Sequence, residues 1–522
     1  MANKSILLIE PDYKNKYPPL GLMKIAQYHG PRGKADNVRF IKGPDPSAFG
    51  TAWDRIYVTT LFSFEFPRIA DTIDFAIKVA GGQKSRVFVG GIAASLMHER
   101  FLEESRWGGV RFIRGLLDKA PAQSLQLDEF SEELYSDDTS GIPIELLTPD
   151  YDILAQIEYT YPVNDAYFLY ASRGCIRKCH FCGVPKLEGA LRENYSITES
   201  VNDIARFYGQ KKDLILMDNN VVASSRFNEI MAEIRDLGFQ RDAKMVRDGR
   251  TYTRRVDFNQ GVDARILAKD PMYLREMATI AIRPLRIAFD HLGLKKPYET
   301  SIRQAHSFGL NELSNYMLYN FHDSPLDLYE RMVLNVRLNV ELGVRIWSFP
   351  MRYQPTDQPH RLHVGEHWSR YELRGLQIIL QATHGVVSGE PDFFAHAFGS
   401  NAEEFVALLI RPQHFIFNRY HYEYGPGKGE FDAFSALFKR LSESECVELR
   451  HLLSSVDPSR FSTLQSMTSN ANLERILPFY ILPLKSEEKK IWALSRKNLA
   501  VPLTCVPSEE LVEDAGLEED VA

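Results

Sequence analysis

The sequence predicts a mixed α/β protein in three parts: an N-terminal doubly wound parallel sheet, a central partial (β/α)6 barrel and a mainly helical C-terminal region. Three observations carry this reading. Two series of short apolar runs alternate with amphipathic stretches, the pattern of parallel βαβ units. An acidic stretch rich in Ser, Asp and Gly, QLDEFSEELYSDDTSGIP, lies between the two series and reads as a linker. Beyond about Arg361, strand-like runs become scarce and helical spacing takes over. At 522 residues the chain is also too long for one ordinary domain.

The first series spans residues 1–118. SILLIEP (5–11), VRFIKG (38–43), RIYVTT (55–60), RVFVGG (86–91) and VRFIRG (110–115) read as strands. LGLMKIAQYH (20–29) and residues 67–80 read as helices. The loops PDYKNKYPPLG and TLFSFEFP follow two of these strands, at the carboxyl edge where doubly wound folds take ligands. Residues 119–160 are the expected linker. The second series, 161–355, offers YFLYAS (167–172), DLILMD (213–218), RVDFNQG (255–261), LRIAFD (285–290), NYMLYNF (315–321) and VRIWSFP (344–350). Helical stretches such as NEIMAEIRDLG and LYERMVLNVRLNVELG separate them, and six strands at these intervals predict an incomplete barrel. Within 356–507, WSRYELRGLQIILQATHG, AEEFVALLI and FSALFKRLSESECVELRHLLSSV read as helices. Residues 508–522 hold seven acids and no Lys or Arg, which predicts a solvated, disordered tail. No internal repeat is present.

Composition narrows the function classes. With 44% hydrophobic and 25% charged residues the chain is that of a soluble globular protein. No apolar run approaches the length of a membrane span. The N-terminal apolar run is closed at once by Glu10, which suits a buried strand and not a signal peptide. Five cysteines, an odd number, predict a reducing cytoplasm in which clustered thiols serve metals or catalysis. The formal charge of −7 is the acidic tail's contribution, so the body is neutral and does not advertise a nucleic-acid partner.

Three of the five cysteines fall in one loop, RGCIRKCHFCGVPKLEG, as Cys175-x3-Cys179-x2-Cys182, directly after the first strand of the second series. Thiolates at this spacing suit zinc or an iron–sulfur cluster. A structural zinc asks for four closed ligands, and the one nearby fourth candidate, His180, is squeezed between two of the cysteines. Cys446 and Cys505 lie far along the chain. Three thiolates on a four-iron cluster instead leave one iron open, where an external amino acid can chelate.

This CxxxCxxC loop after a strand that opens a βα barrel resembles the radical S-adenosylmethionine superfamily, across about residues 160–355. The resemblance implies that Cys175, Cys179 and Cys182 hold a 4Fe-4S cluster whose open iron binds S-adenosyl-L-methionine. It implies reductive cleavage of that cofactor to a 5′-deoxyadenosyl radical, and a low-potential electron donor such as a flavodoxin or ferredoxin. Phe181 matches the aromatic residue that the family places before the third cysteine, against the adenine. The polar turn after the second barrel strand, where the family holds the methionine amino group, corresponds to Asp218, Asn219 and Asn220; an Asx-rich turn is the plainer reading. On the third strand, Asn259, Gln260, Asp263 and Arg265 stand where ribose and carboxylate are held. An Arg suits bidentate carboxylate capture, and Asp263 with Arg265 equally suits a structural ion pair. Arg286 and Asp290 on the fourth strand, and Tyr316, Tyr319 and Asn320 on the fifth, are secondary candidates.

A doubly wound domain ahead of such a barrel resembles the cobalamin-binding domain of the cobalamin-dependent subfamily, with PPLGLMKIA and VFVGGIAAS in comparable places. The chain departs from it in one respect: Asp12 is followed by YKNKYPPLG, with no His to serve as lower ligand to cobalt. Gly90 and Gly91 suit either close ligand approach or an ordinary tight turn. CHFCGVPKLEG is also similar to the cysteine loop of methylthiotransferases, which carry a second cluster on N-terminal cysteines. No cysteine precedes Cys175, which argues against sulfur insertion. The C-terminal region gathers Trp368 with His363, His367, His384, His396, His414 and His421; only His363 and His367 have the spacing of a second metal site, and the histidines read mostly as surface and core residues. FIFNRYHYEY is a possible aromatic wall for a substrate.

The expected function is thus a cytoplasmic radical S-adenosylmethionine enzyme acting on a substrate the sequence does not name. Methylation of an unactivated carbon is expected if cobalamin binds. Two alternatives stand beside it: a nucleic-acid-modifying enzyme of the same superfamily, and a non-catalytic iron–sulfur protein that senses redox state. No membrane partner is expected.

Overall fold

The structure is a computed structural model that describes residues 3–118, 143–193 and 196–483. Most of the expected linker, Cys505 and the acidic tail lie outside the described residues. The architecture is mixed α/β with parallel sheets. The chain forms two compact units, one holding 1–288, 297–312 and 354–363, the other the remainder.

In the first unit, β1 (Ser5–Glu10), β2 (Asn37–Lys42), β3 (Arg55–Thr60), β4 (Val87–Gly91) and β5 (Arg111–Phe112) form one parallel sheet in the order β2-β1-β3-β4-β5. Ile6, Leu7, Leu8 and Ile9 are fully buried, as a parallel sheet covered on both faces requires. The helix Phe66–Val79 lays Ile69, Ile73 and Ala76 onto this core together with Val58, Val87 and Trp107. Strand order changes direction between β1 and β3, so the loops leaving these two strands flank the switch point. VRFIRG pairs over only two residues, and Gly115 beyond them takes a positive φ.

The same unit continues with β6 (Ala166–Leu169), β7 (Asp213–Leu216), β8 (Lys244–Arg247), β9 (Arg250–Thr253), β10 (Val256–Phe258) and the short β11 (Leu285–Arg286). β6, β7 and β10 form a parallel sheet in the order β10-β7-β6. These strands end earlier than their apolar runs suggest, and the residues beyond Leu169, Leu216 and Phe258 leave the ladder as loops. β8 and β9 are an antiparallel hairpin turned at Asp248 and Gly249, both at positive φ. The Asp-Gly pair that signals it sits among charged residues that hide the strand pattern.

In the second unit, β12 (Glu312–Tyr319) and β13 (Arg345–Arg352) lie in one sheet. The helix Pro325–Leu342 between them starts at a Ser324–Asp327 capping box and stops at Gly343, at φ +66°. Arg331 on this helix is fully buried. Its guanidinium donates to Asp323 Oδ2 at 2.9 Å and to the carbonyls of Leu318, Asp290 and Phe289 at 2.8–3.1 Å. Arg331→Met strands the buried Asp323 carboxylate and three carbonyls, an expected loss of about 3–5 kcal/mol in denaturant unfolding. The C-terminal helices pack around Phe415, Phe434, Leu449, Leu452 and Leu453. The run 434–456, which reads as one helix, is two: Lys428–Phe438 and Glu443–Ser455. Ser442 and Glu445 form a capping box that starts a new helix, and the apolar spacing persists because both helices face one core. Among the described residues no helix is long and apolar enough to cross a membrane.

Candidate functional site

The cysteine loop leaves the carboxyl end of β6, and its first turn is fastened from behind by Asp218. That carboxylate, 1% exposed, accepts from Ala171 N at 2.9 Å through Oδ2, and from Ser172 N and Oγ at 2.5 and 2.6 Å through Oδ1. Burial outweighs these bonds and raises the carboxyl to about 6. An acid whose pKa rises on folding is protonated more readily in the native state than in the unfolded chain. Stability from this group is therefore greatest below about pH 4 and falls as pH rises to about 6, by about 3 kcal/mol. Asp218→Asn removes that titration. Its unfolding free energy relative to wild type is expected to improve by about 3 kcal/mol between pH 4 and 7; a flat difference across that range assigns the titration elsewhere.

Glu188 holds the next turn. Its Oε2 accepts Gly174 N at 2.7 Å and Asn219 Nδ2 at 2.8 Å, and Asn219 Nδ2 also reaches Gly174 O at 3.4 Å. Arg173 and Arg192 exchange backbone hydrogen bonds at 2.9 and 2.8 Å, and Cys175 N donates to Gly189 O at 3.3 Å. The Arg173 guanidinium lies 3.8 Å above the Tyr170 ring and faces Glu188 at 3.5 Å and Glu145 at 3.6 Å. The first cysteine thus leaves a closed, charge-locked turn.

Cys175, Cys179 and Cys182 are half-buried. Cys175 Sγ accepts Arg177 N at 3.3 Å, and Cys182 Sγ accepts Val184 N at 3.4 Å. Among the described residues no three His, Cys, Asp or Glu side chains converge as one metal ion demands. Three thiolates in one loop, each able to ligate a different iron, are a donor set of the kind a 4Fe-4S group takes. Phe181 is half-buried beside Cys182, and His180 is exposed.

The other predicted residues gather at the same carboxyl edge. Asn220 Oδ1 accepts Asp263 N at 3.3 Å. Asp263 caps the helix Ala264–Leu267 and binds Arg265 at 2.8–3.0 Å; its Oδ2 also accepts Arg177 Nε, from within the cysteine loop, at 2.8 Å. Burial works to raise Asp263, but the bonds from Arg265 and Arg177 hold it below the ordinary carboxylate range. Asn259 is buried, and its Oδ1 accepts the Tyr17 hydroxyl at 2.7 Å. Gln260 and Arg265 are exposed. Sequence reasoning missed Arg173, Arg177, Glu188 and Tyr17. The first three sit inside or beside the cysteine motif, whereas nothing local marks Tyr17.

The secondary candidates are placed in supporting roles. Arg286 makes a buried bidentate pair with Asp257, both bonds 2.8 Å. In the second unit Asn320, at φ +67°, donates to Tyr353 O and accepts Gly365 N. Tyr319 packs against Trp368, and Tyr316 against Phe349. Burial pushes His414 down to about 4 and lowers His396 as well.

At the carboxyl edge of the N-terminal sheet, Gly91 has φ +104° and an added Cβ would lie 2.4 Å from Thr60 O. The chain's own turn therefore explains this glycine. Tyr13, Phe62 and Phe64 form an aromatic run here, with Arg361 3.8 Å above Phe64. A Cβ on Gly183, the residue after the third cysteine, would stand 3.0 Å from Leu96 Cδ1. The cysteine loop thus abuts the helix Ile92–Leu96 that follows β4.

No protein-family model matches the chain, and no curated protein matches it. Among solved structures it is similar to a radical S-adenosylmethionine methyltransferase, TsrM from Kitasatospora setae, with cobalamin and a 4Fe-4S cluster bound. That likeness has a TM-score of 0.45 and 13% identity over 68% of this chain and 74% of that one. The same enzyme with its tryptophan substrate and the analogue aza-SAM matches at TM-score 0.45 and 13% identity, over 78% of this chain and 89% of the other.

Proposed function

We propose that this protein is a radical S-adenosylmethionine enzyme that reductively cleaves S-adenosyl-L-methionine and directs the resulting radical at a substrate. The observation that carries the reading is the Cys175-x3-Cys179-x2-Cys182 loop at the carboxyl end of β6, with two of its sulfurs taking backbone N–H groups. Cys175, Cys179 and Cys182 would hold the cluster. When bound, a four-iron cluster on three thiolates supplies an electron and one open coordination position. Phe181, Asn219, Asn220, Asn259, Gln260 and Arg265 would be contacts for the cofactor. Asp218 and Asp263 act from behind, by fixing the loop that presents the thiols. A flavodoxin or ferredoxin would deliver the electron, and the fold's part is to position the reactants and exclude water.

Cobalamin-dependent methylation is the reaction we infer. It is favoured by the β2-β1-β3-β4-β5 sheet, whose carboxyl edge carries the aromatic run Tyr13–Phe62–Phe64 and abuts the cysteine loop through Gly183 and Leu96. Cobalamin held there would lack a lower His from the 12–20 loop. The test is anaerobic purification with cobalamin supplied, scored by visible spectrum and iron count, followed by reduction with S-adenosylmethionine. Formation of 5′-deoxyadenosine is expected and excludes a purely structural or redox-sensing cluster. Retained cobalamin absorption after washing supports methyl transfer; its loss removes that reaction.

A further inference from the structure

Lys24, a buried residue of the helix Leu20–His29, is a cation that the proposed chemistry does not use. Its Nζ donates to Glu145 O and stands 3.2 Å from Glu145 Oε1. Glu145 lies in the short turn Ile144–Leu146 and faces Arg173 Nε at 3.6 Å. Arg173 in turn faces Glu188 Oε1 at 3.5 Å, and Glu188 Oε2 accepts from Gly174 N, next to Cys175. The four charged side chains are 6–11% exposed. The Tyr170 ring lies against both cations, 5.9 Å from Lys24 Nζ and 3.8 Å from the Arg173 guanidinium. A cation from the first helix of the N-terminal sheet is thus joined, step by step, to the turn that presents the first cysteine.

The signs alternate along this series: Lys24, Glu145, Arg173, Glu188. Two cations balance two carboxylates, and Arg192 beside Glu188 is balanced by Asp118. Burial pulls Lys24 below the ordinary lysine range, and the facing Glu145 carboxylate works against that. Removing one member leaves a net charge where water screens it poorly. An iron–sulfur cluster gains one negative charge on reduction, so a nearby cation favours the reduced form and a nearby anion the oxidised form. Each step of the series is 3.2–3.6 Å, and Arg173 is two positions before Cys175. All four charges therefore act within Coulomb range of a group held on that cysteine.

We propose that Lys24 and Glu145 set the reduction potential of the cluster, as opposite charges in a buried network that ends on the first turn of the cysteine loop. The inference rests on the reading of Cys175, Cys179 and Cys182 as cluster ligands. It gives the N-terminal sheet's first helix a part in the electron transfer that starts the reaction, by supplying the cation that offsets Glu145.

The test is an anaerobic redox titration of the full chain, reconstituted with iron and sulfide and followed by the paramagnetic signal of the reduced cluster. Wild type, Lys24→Met, Glu145→Gln and the double variant are compared, with iron content measured for each. At the wild-type midpoint, Lys24→Met is expected to lower the reduced-to-oxidised ratio roughly three- to tenfold, and Glu145→Gln to raise it by a similar factor. Tenfold corresponds to about 59 mV for one electron. The double variant restores the balance of charge and is expected within about twofold of wild type. Opposite signs are what charge produces and a loosened loop does not. An unchanged ratio in either single variant, shifts of the same sign, or a double variant no nearer to wild type than the single ones each overturns the proposal. If one single variant loads no iron, the sign of the other decides; loss of iron in both makes the network structural and overturns the proposal as well. A wild-type chain that takes up no iron overturns the cluster reading instead, and is told apart because no variant is involved.

Discussion

Cys179→Ala is expected to reduce iron in the anaerobically reconstituted protein to background and to lower 5′-deoxyadenosine formation at least about a thousandfold. Three thiolates are the fewest that hold a four-iron cluster while leaving one iron open, so the loss of one is not a graded effect. Cys179 stands in the middle of the motif, and neither Cys446 nor His180 offers a substitute. Cys446 lies on the helix Glu443–Ser455, with its thiol raised by burial, and His180 is exposed. Cys446→Ala is therefore expected to load iron as wild type does. The apoprotein should keep its circular dichroism in both variants. The loop is held by Asp218, Glu188 and Asp263 through bonds of 2.5–2.9 Å that involve no cysteine side chain. Full iron loading of Cys179→Ala would sink the cluster assignment.

The N-terminal sheet was legible because parallel strands covered on both faces must be apolar throughout, and SILLIE and RIYVTT announce this without outside help. The cysteine loop was visible for a similar reason: the spacing of three thiols within eight positions is local. What the sequence could not display is which side chains serve the chain itself. Asp218 and Asp263 look like ligand-binding residues, yet each faces a loop 46 to 86 positions earlier in the chain. The Asp263–Arg265 pair turned out to include a third member, Arg177, because the loop folds back over the end of the third strand. Gly91 shows the converse. It has the appearance of a ligand-approach glycine, but Thr60 on the neighbouring strand is what forbids a side chain there. The hairpin 244–253 and the break at Ser442 were both signalled, by Asp-Gly and by a capping box. Each was overridden by a longer-range pattern, of charge in one case and of apolar spacing in the other.

Gly174→Ala is the second large expected effect, because it attacks the position of Cys175 without altering any ligand. Gly174 has φ +82°, and an ideal Cβ there would lie 2.2 Å from Ala190 O, 2.7 Å from Ala190 C and 2.9 Å from Gly189 O. These are backbone atoms of the strand-like return at 189–192, so no rotamer change relieves the overlap. Positive φ alone costs a non-glycine residue about 1–2 kcal/mol. The clash must then be relieved by separating the two chain segments, which breaks the Arg173–Arg192 pair and the Cys175 N–Gly189 O bond. A combined loss of about 4 kcal/mol or more is expected for closure of the loop. The rest of the unit has its own core, so the variant should fold with iron loading reduced at least about tenfold. Gly189→Ala is the matched comparison: its φ is +76°, but nothing lies within 4 Å of an added Cβ. It bears only the backbone cost, about 1–2 kcal/mol, and is expected to load iron nearly as well as wild type. Equal iron loading in the two variants would show that the loop accommodates a side chain at 174, and that the close approach of residue 190 is not what sets Cys175.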